Sequence, residues 1–261
     1  MAELNKVYSL AQLYDIAFGR SISREIDFLL ALFRRVAGRD ATSLVDIACG
    51  PGYHARAAAL RGIEATGVDL RPEMVDFARD EAEKEGAHAT WIAADMRAMA
   101  LAKPVDIALT SYDSLDCLLT DEEILAHFRN VAANLAPDGI YVFEMSHPRD
   151  CSPFAYGGHR YAGTRNGTEV AIEWVDAKPD LVTQVTEVKI KVTVKRDGAE
   201  DVLYDTAKER FCTAREYLGL ARQSGALAPI GFWGDFADGQ MFDGSPQSRR
   251  MIGVFRKAQP G

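Results

Sequence analysis

Along the first 145 residues, apolar and polar positions alternate in a way that is typical of parallel strands joined by helices. Short apolar runs predict buried strands, and the longer stretches between them carry apolar residues at helical spacing. Residues 7–37 add two amphipathic helices that we expect to pack across the sheet or along its ligand edge. The predicted strands are residues 44–48, 65–70, 90–93, 105–110 and 140–143, and the predicted helices are residues 53–61, 72–85 and 121–135.

The pattern changes after residue 145. A loop rich in Gly, Pro and His at residues 146–165 precedes a strict alternation of apolar and polar residues, which predicts half-buried strands. Asp197-Gly198 is a hairpin signal within this region. Residues 168–212 are therefore predicted to form a three-stranded antiparallel meander.

The α/β pattern resumes after the meander, with a helix at residues 213–224 and strands at 228–233 and 251–255. Both flanks of the meander belong to one pattern, so residues 1–261 are interpreted as a single domain. Residues 146–212 are then an antiparallel insertion that acts as a lid or as a dimer element. The exposed edge of such an insertion is compatible with a homodimer.

Net charge, the length of apolar runs and cysteine spacing disfavour several classes of function. The formal net charge is −8, which disfavours a long nucleic acid as a partner because an acidic chain repels phosphates. No apolar run approaches the ~20 residues of a membrane span, and the first ten residues do not resemble a secretory signal. The scattered cysteines form no CxxC pair and are expected to be reduced thiols in a cytoplasmic protein: Cys49, Cys117, Cys151 and Cys212.

The segment LVDIACGPGYHA at residues 44–55 carries the clearest chemical signal. It predicts a buried strand that ends in a glycine-bearing turn and opens a helix. Gly50 and Gly52 let the backbone approach a ligand closely, and the following helix start offers free N–H groups. The segment therefore predicts a ligand site at the end of the first strand.

Acidic residues follow the next two strands. Asp69, at the end of the second strand, is placed to accept hydrogen bonds from both hydroxyls of an adenosine ribose. Asp95, after the third strand, is placed to accept one from the adenine amino group, with Leu70 and Met96 packing on the ring. Three strand ends thus converge on one nucleoside.

Residues 50–55 also fit the dinucleotide fingerprint GxGxxA, so a nicotinamide enzyme is an alternative. Two residues argue against it. Asp46 lies four residues before the first glycine, where it would repel a diphosphate but would suit a cationic amino group. Pro51 removes one of the N–H donors that a pyrophosphate would need.

With these motifs the chain resembles the class I S-adenosylmethionine-dependent methyltransferases, through DIACGPGYHA, GVDLRPEMVDFAR, AADMRAM and VDIALTSYDSLDCLL. The resemblance implies a Rossmann-like, seven-stranded, mostly parallel sheet with helices on both faces. It implies S-adenosylmethionine as cofactor, S-adenosylhomocysteine as product, and N-terminal helices over the cofactor at residues 1–40. The cofactor-binding residues that it implies are Tyr14, Arg20, Asp46, Ala48, Gly50, Gly52, Asp69, Leu70, Met74, Ala94, Asp95, Met96 and Ser111.

The antiparallel insertion is similar to that of small-molecule N-methyltransferases, including those acting on nucleotide-linked amino sugars and on glycine. An amine must present a neutral lone pair to the methyl group, whereas a hydroxyl needs a base. His147 is the candidate base by its position after the fifth strand, with Tyr112 beside it. Candidate substrate-binding residues are Tyr112, Asp113, His147, His159 and Trp174.

Other side chains received simpler interpretations. His54 is expected to cap or pack the first helix, and His88 and His127 are expected at the surface. Asp113 and Asp116 lack a third clustered oxygen ligand, so no metal is predicted. Further aromatic residues could wall an acceptor pocket: Phe154, Tyr156, Tyr161, Phe232 and Trp233.

The sequence thus predicts a cytoplasmic enzyme that transfers a methyl group from S-adenosylmethionine to a small molecule. N-methylation is preferred, small-molecule O-methylation is the alternative, and a NAD-binding oxidoreductase ranks after both. A non-catalytic protein that retains the cofactor fold is not separated from an enzyme by the sequence.

Overall fold

The computed structural model describes residues 6–150 and 159–258. Its main sheet, sheet A, has seven strands in the order β3-β2-β1-β4-β5-β11-β10. The five strands β1 to β5 run parallel, and β11 pairs antiparallel with both β5 and β10. The strands are β1 Ser43–Ile47, β2 Glu64–Asp69, β3 Ala89–Ala93, β4 Val105–Thr110, β5 Leu135–Ser146, β10 Leu227–Trp233 and β11 Arg250–Lys257. Every strand predicted for this sheet is present, which confirms the mostly parallel α/β fold.

Helices cover both faces of sheet A. The central strands are buried on both faces, as β4 is along its whole length, because helices pack above and below them. Capping boxes at Thr120 with Glu123 and at Thr213 with Glu216 start two of the helices. The helices are α1 Ala11–Phe18, α2 Ser23–Ala37, α3 Tyr53–Ala59, α4 Pro72–Glu85, α5 Asp121–Asn134 and α6 Ala214–Ser224.

A second sheet, sheet B, has four antiparallel strands, so the prediction of three was wrong. The additional strand, β6, lies within the segment predicted as a loop. It pairs with β7 through a tight turn at Asn166-Gly167, where both residues have positive φ. Asn-Gly is the usual sequence of such a turn, and it is the signal that could have revealed this hairpin. The strands are β6 Arg160–Arg165, β7 Thr168–Pro179, β8 Val185–Arg196 and β9 Ala199–Arg210.

The inner face of sheet B packs against α1, and the outer face of the sheet is exposed. The apolar side chains of β7 and β8, such as Ile172, Val188 and Ile190, form a separate core with Ile16 and Phe18 of α1. The N-terminal helix is therefore held by the insertion, whereas α2 packs against sheet A. Among the helices that the structure describes, none has the length and apolarity needed to cross a membrane.

Candidate active site

A cavity of about 410 Å³ lies where the carboxyl ends of β1 to β4 face α1 and sheet B. Open α/β sheets bind ligands at this edge, because the loops that follow the strands converge there. The cavity brings together most of the predicted site residues, which are Tyr14, Ala48, Gly50, Asp69, Leu70, Met74, Ala94, Asp95, Met96, Tyr112, Asp113, His159 and Trp174. Others lie outside its walls: Arg20, Asp46, Gly52, Ser111 and His147.

The backbone at the strand ends is strained. Ala48 after β1 and the consecutive pair Tyr112 and Asp113 after β4 have φ values of 55°, 57° and 62°. Non-glycine residues seldom adopt this left-handed conformation, and it concentrates at functional sites. The backbone N–H of Tyr112 donates to Glu144 Oε2 at 2.9 Å, and that of Asp113 donates to the Glu144 carbonyl at 3.2 Å. Both bonds stabilise the turn that directs Tyr112 into the cavity.

Asp69 is fixed by two backbone donors. The N–H of Gly50 donates to Oδ2 at 2.8 Å, and the N–H of Arg71 donates to Oδ1 at 2.9 Å. Burial raises the pKa of this carboxyl, although both hydrogen bonds oppose that effect. Each oxygen keeps a further lone pair, so Asp69 can accept hydrogen bonds from two neighbouring hydroxyls.

The third strand end carries Asp95, whose pKa is lowered by its contacts with Arg97. Met96 beside it lines the cavity, and Leu70 across the gap is 62% exposed.

The Met96 carbonyl accepts a hydrogen bond from His127 Nδ1 at 3.0 Å. The prediction that His127 lies at the surface was wrong: the ring is fully buried, it contacts the Tyr141 hydroxyl at 2.8 Å, and burial lowers its pKa to about 4.

Asp46 lies beneath the glycine turn. Its Oδ2 accepts from the N–H of Ala55 at 3.3 Å, and its Oδ1 is buried without a hydrogen-bond partner among the described residues. The side chain is only 1% exposed, and burial raises its pKa to about 6. Gly52 is needed for packing, because a Cβ there would lie 2.5 Å from the Trp91 ring.

A buried chain of polar groups leads away from Asp46. His54 Nε2 lies 2.6 Å from Glu25 Oε2, and its Nδ1 lies 3.5 Å from the Ser111 hydroxyl. Burial would lower the pKa of His54, but the Glu25 contact raises it. Arg20 pairs with Glu25 and lies 4.6 Å over the ring of Tyr112. Arg20 and Ser111 thus support the cavity floor from behind.

Aromatic rings wall the side of the cavity that faces sheet B. Tyr14 stacks on Phe18, with ring centroids 4.1 Å apart, and Phe18 contacts Tyr161 at 4.3 Å. Trp174 on β7 donates from its indole N–H to Glu209 Oε1 at 2.7 Å. Burial raises the pKa values of Tyr14, Tyr112 and Tyr161, so all three phenols stay protonated at neutral pH. This side is apolar with a few hydrogen-bonding groups, as a binding site for a small molecule requires.

Residues 44–139 match the family model of a methyltransferase domain. A dTDP-3-amino-3,6-dideoxy-alpha-D-glucopyranose N,N-dimethyltransferase of Streptomyces fradiae is 32% identical over 138 residues, which are 52% of this chain and 52% of the relative. The chain thus spans about half the length of several curated relatives that it matches. A dTDP-4-amino-2,3,4,6-tetradeoxy-D-glucose N,N-dimethyltransferase of Saccharopolyspora spinosa is 29% identical over 88% of this chain and 93% of its own.

Solved structures agree on the fold. An S-adenosylmethionine-dependent methyltransferase from Clostridium acetobutylicum has a TM-score of 0.78 at 15% identity, over 98% of this chain and 100% of its own. The chain thus has the fold of this methyltransferase. An amino pentose methyltransferase from Micromonospora echinaspora, with S-adenosylmethionine bound, has a TM-score of 0.71 at 20% identity over 95% and 97% of the two chains.

The structure contradicts the role predicted for His147. Its Nε2 donates to the Asp243 carbonyl at 2.9 Å, its Nδ1 accepts from the N–H of Arg149 at 3.2 Å, and its ring packs on Phe242. Both ring nitrogens are occupied by backbone groups, and the side chain does not reach the cavity. His147 is therefore neither the base nor a substrate contact.

Four remaining aromatic residues from the sequence interpretation do not line the cavity or lie outside the described residues. Trp233 packs in the core on one face of sheet A, and Phe232 packs against the core on the other face. Phe154 and Tyr156 lie outside the described residues.

Sequence reasoning missed a charged cluster behind the end of β4. Arg250 on β11 donates to Asp113 Oδ2 at 2.8 Å and to the Ser146 hydroxyl at 2.9 Å, and its Nε lies 2.7 Å from Glu144 Oε1. Tyr8 and Glu209 also line the cavity without having been predicted, and Asp116, weighed above only as a metal ligand, lines it too. No motif marked Tyr8 or Glu209, because the N-terminal turn and sheet B reach the site only through tertiary folding.

Proposed function

We propose that this methyltransferase transfers the methyl group of S-adenosylmethionine to an amino group of a small molecule. The observation that carries the proposal is the continuity of the cavity, which joins the nucleoside end at Gly50, Asp69 and Asp95 to an aromatic end under sheet B. The relatives named above methylate amino groups of sugars, which supports nitrogen as the methylated atom.

The residues of this chain fit S-adenosylmethionine. The free lone pairs of Asp69 suit the ribose hydroxyls, and Asp95 with Met96 and Leu70 suits adenine. The unpartnered Oδ1 of Asp46 suits the amino group of the methionine portion, because a buried carboxylate oxygen without a partner favours a cation. Tyr14 and Arg20 are proposed to contact its carboxylate, and Ala48, Met74, Ala94 and Ser111 complete the surrounding surface.

When bound, the cofactor supplies an electrophilic methyl group on a sulfonium. The protein's task is then to orient the acceptor in line and to exclude water. We assign that task to Tyr112, Trp174 and Tyr161, whose rings form the cavity wall. Tyr112 stays a phenol and acts as a hydrogen-bonding contact rather than as a base, since burial raises its pKa.

We further propose the organisation and setting of the protein. Residues 1–261 form one methyltransferase domain, residues 1–40 cover the cofactor, and residues 146–212 serve as a lid or a dimer element. The net charge of −8 supports a small-molecule acceptor over nucleic acid, and no membrane role is proposed. The scattered cysteines support a cytoplasmic location, and the outer edge of β9 supports a homodimer.

Calorimetry with S-adenosylhomocysteine tests the cofactor assignment. We expect Asp69→Asn to weaken binding tenfold or more, because hydrogen bonds to a charged group contribute about 1.5–3 kcal/mol each. Asp80→Asn, an exposed carboxyl on α4, is the matched control and should bind like the parent. Unchanged affinity in Asp69→Asn, or binding of NAD in place of S-adenosylhomocysteine, would contradict the proposal. A screen of amines and phenols for S-adenosylhomocysteine release then separates N- from O-methylation.

A further inference from the structure

One part of the cavity wall is acidic. Asp116 on the turn after β4 and Glu209 on β9 both line it, and the two carboxyls are close enough to interact. Tyr8 and Cys117 lie beside them. This group comes from three separate parts of the chain, which sheet B and the N-terminal turn bring together.

Asp116 is the unusual member of the group. Its Oδ1 is buried and has no hydrogen-bond partner among the described residues. Burial raises the pKa of this carboxyl well above its ordinary value, and the neighbouring Asp113 and Glu209 raise it further. A buried acceptor without a donor costs free energy, and a donor supplied by a ligand would recover it.

The charge of the other residues that line the cavity limits which charged groups such a ligand can carry. Among the described residues that line the cavity, the only Lys or Arg side chains are Arg71 and Arg97. Arg97 pairs with Asp95 and Glu123, and Arg71 interacts with Asp69, all at the nucleoside end. The segments 1–5 and 151–158 contain no Lys or Arg. The acidic lining residues are Asp69, Asp95, Asp113, Asp116, Glu123 and Glu209.

Resting on the methyl-transfer function proposed above, we propose that the acceptor is an amino compound without a phosphate group, and that Asp116 and Glu209 bind its amino group as a cation. One of these two carboxylates then takes a proton from it, so that the neutral nitrogen attacks the methyl group. A phosphate beside Asp116 and Glu209 would meet two carboxyl groups, so like charges would oppose its binding there. The relatives named above act on dTDP-linked amino sugars, which carry a diphosphate. This chain thus departs from them in the acceptor that it takes.

The aromatic walls suit the same ligand. Trp174 and Tyr161 pack edge to face near the acidic group, with ring centroids 5.8 Å apart. Aromatic faces attract ammonium groups, and they also cover the apolar carbons of a small amine. The indole N–H of Trp174 orients the Glu209 carboxylate, so that carboxylate is in place before the acceptor arrives.

The test is calorimetry on the full-length protein saturated with S-adenosylhomocysteine. Two matched pairs serve as probes: methyl 3-amino-3,6-dideoxyglucoside with its 3-hydroxy counterpart, and cyclohexylamine with cyclohexanol. The third probe is dTDP. We expect the better amine to bind at least tenfold tighter than its hydroxyl counterpart, and dTDP to give no measurable heat.

Asp116→Asn and Glu209→Gln should each weaken amine binding about tenfold while S-adenosylhomocysteine binds as before. Asp201→Asn removes an exposed carboxyl from the same strand, β9, and should leave every affinity unchanged. Binding of dTDP, equal binding of amine and alcohol in both pairs, or no binding of either amine would overturn the proposal. Failure of the parent protein to bind S-adenosylhomocysteine would instead contradict the proposed function.

Discussion

At the scale of single residues, the cavity is lined and supported by carboxylates whose surroundings differ. Asp69 is held by two backbone donors and Asp95 by Arg97, whereas Asp46 and Asp116 each keep one buried oxygen without a partner. Carboxylates that already accept hydrogen bonds from the protein are held in place to accept further hydrogen bonds from a ligand. Unsatisfied ones carry a desolvation cost that a bound cation would relieve, so they mark where positive charge on a ligand belongs.

Asp46 predicts a proton linkage. Burial raises its pKa to about 6, so the folded protein binds this proton more tightly than the unfolded chain does. The contribution of Asp46 to the unfolding free energy should therefore fall as pH rises from about 4 to 6. A cationic amino group bound beside Asp46 would lower its pKa, so S-adenosylhomocysteine binding at pH 6 should release roughly half a proton.

Calorimetry in buffers of different ionisation enthalpy measures this release. The groups that face Asp46 are His54, Asp69 and Glu25, and they remain in the control variant Asp46→Asn. The variant should lose most of the proton release. If parent and variant release the same number of protons, the linkage belongs to another group.

At the scale of elements, α1 is held between sheet B and α3. Asp15 accepts a hydrogen bond from the Tyr53 hydroxyl at 2.6 Å and pairs with Arg165 of β6. The backbone of β6 approaches α1 so closely that a Cβ on Gly163 would lie 1.9 Å from the Ile16 carbonyl oxygen. The position of Tyr14 and Phe18 in the cavity wall therefore depends on a strand that only the folded insertion supplies.

Gly163→Ala should push β6 away from α1. A carbonyl oxygen of a helix cannot yield as a flexible side chain can, so we expect a lower melting temperature and at least fivefold weaker S-adenosylhomocysteine binding. The loss arises because Tyr14 is displaced. Ala162→Ser, at an exposed position of the same strand, is the control. Parent-like affinity in Gly163→Ala would show that the cavity wall does not need this contact.

At the scale of the whole molecule, Arg250 links the last strand to the site. It lies on β11, and its guanidinium contacts Asp113 after β4, Glu144 on β5 and Ser146 at the end of β5. These groups are far apart in sequence and are drawn together by the strand order of sheet A. The C-terminal part of the chain thereby fixes the strained turn that carries Tyr112.

Arg250→Gln should destabilise the fold by about 3–5 kcal/mol, because it leaves Glu144 and Asp113 without their cationic partner. Urea unfolding at pH 7 measures the change. Arg249→Gln, at an exposed neighbouring position, should alter stability by less than about 0.5 kcal/mol. Similar midpoints for the two variants would show that the buried cluster contributes little.

The sequence by itself determined sheet A and the nucleoside end of the site. Strand ends, glycine turns and capping boxes are local, so Gly50, Asp69 and Asp95 could be placed from the chain alone. Asn166-Gly167 is also a local sequence signal for a hairpin, although the Gly-rich composition around it favoured the prediction of a loop there.

Only the tertiary structure decided the acceptor end. Tyr8, Asp116, Glu209 and Arg250 come from distant segments with no shared motif, and their contacts arise when sheet B and β11 pack against the strand ends. Tertiary packing also turned His147 toward the Asp243 carbonyl, and it buried His127 of α5 against Met96 and Tyr141. A side chain's protonation and partners depend on what surrounds it in three dimensions, and the chain's local pattern does not contain that information.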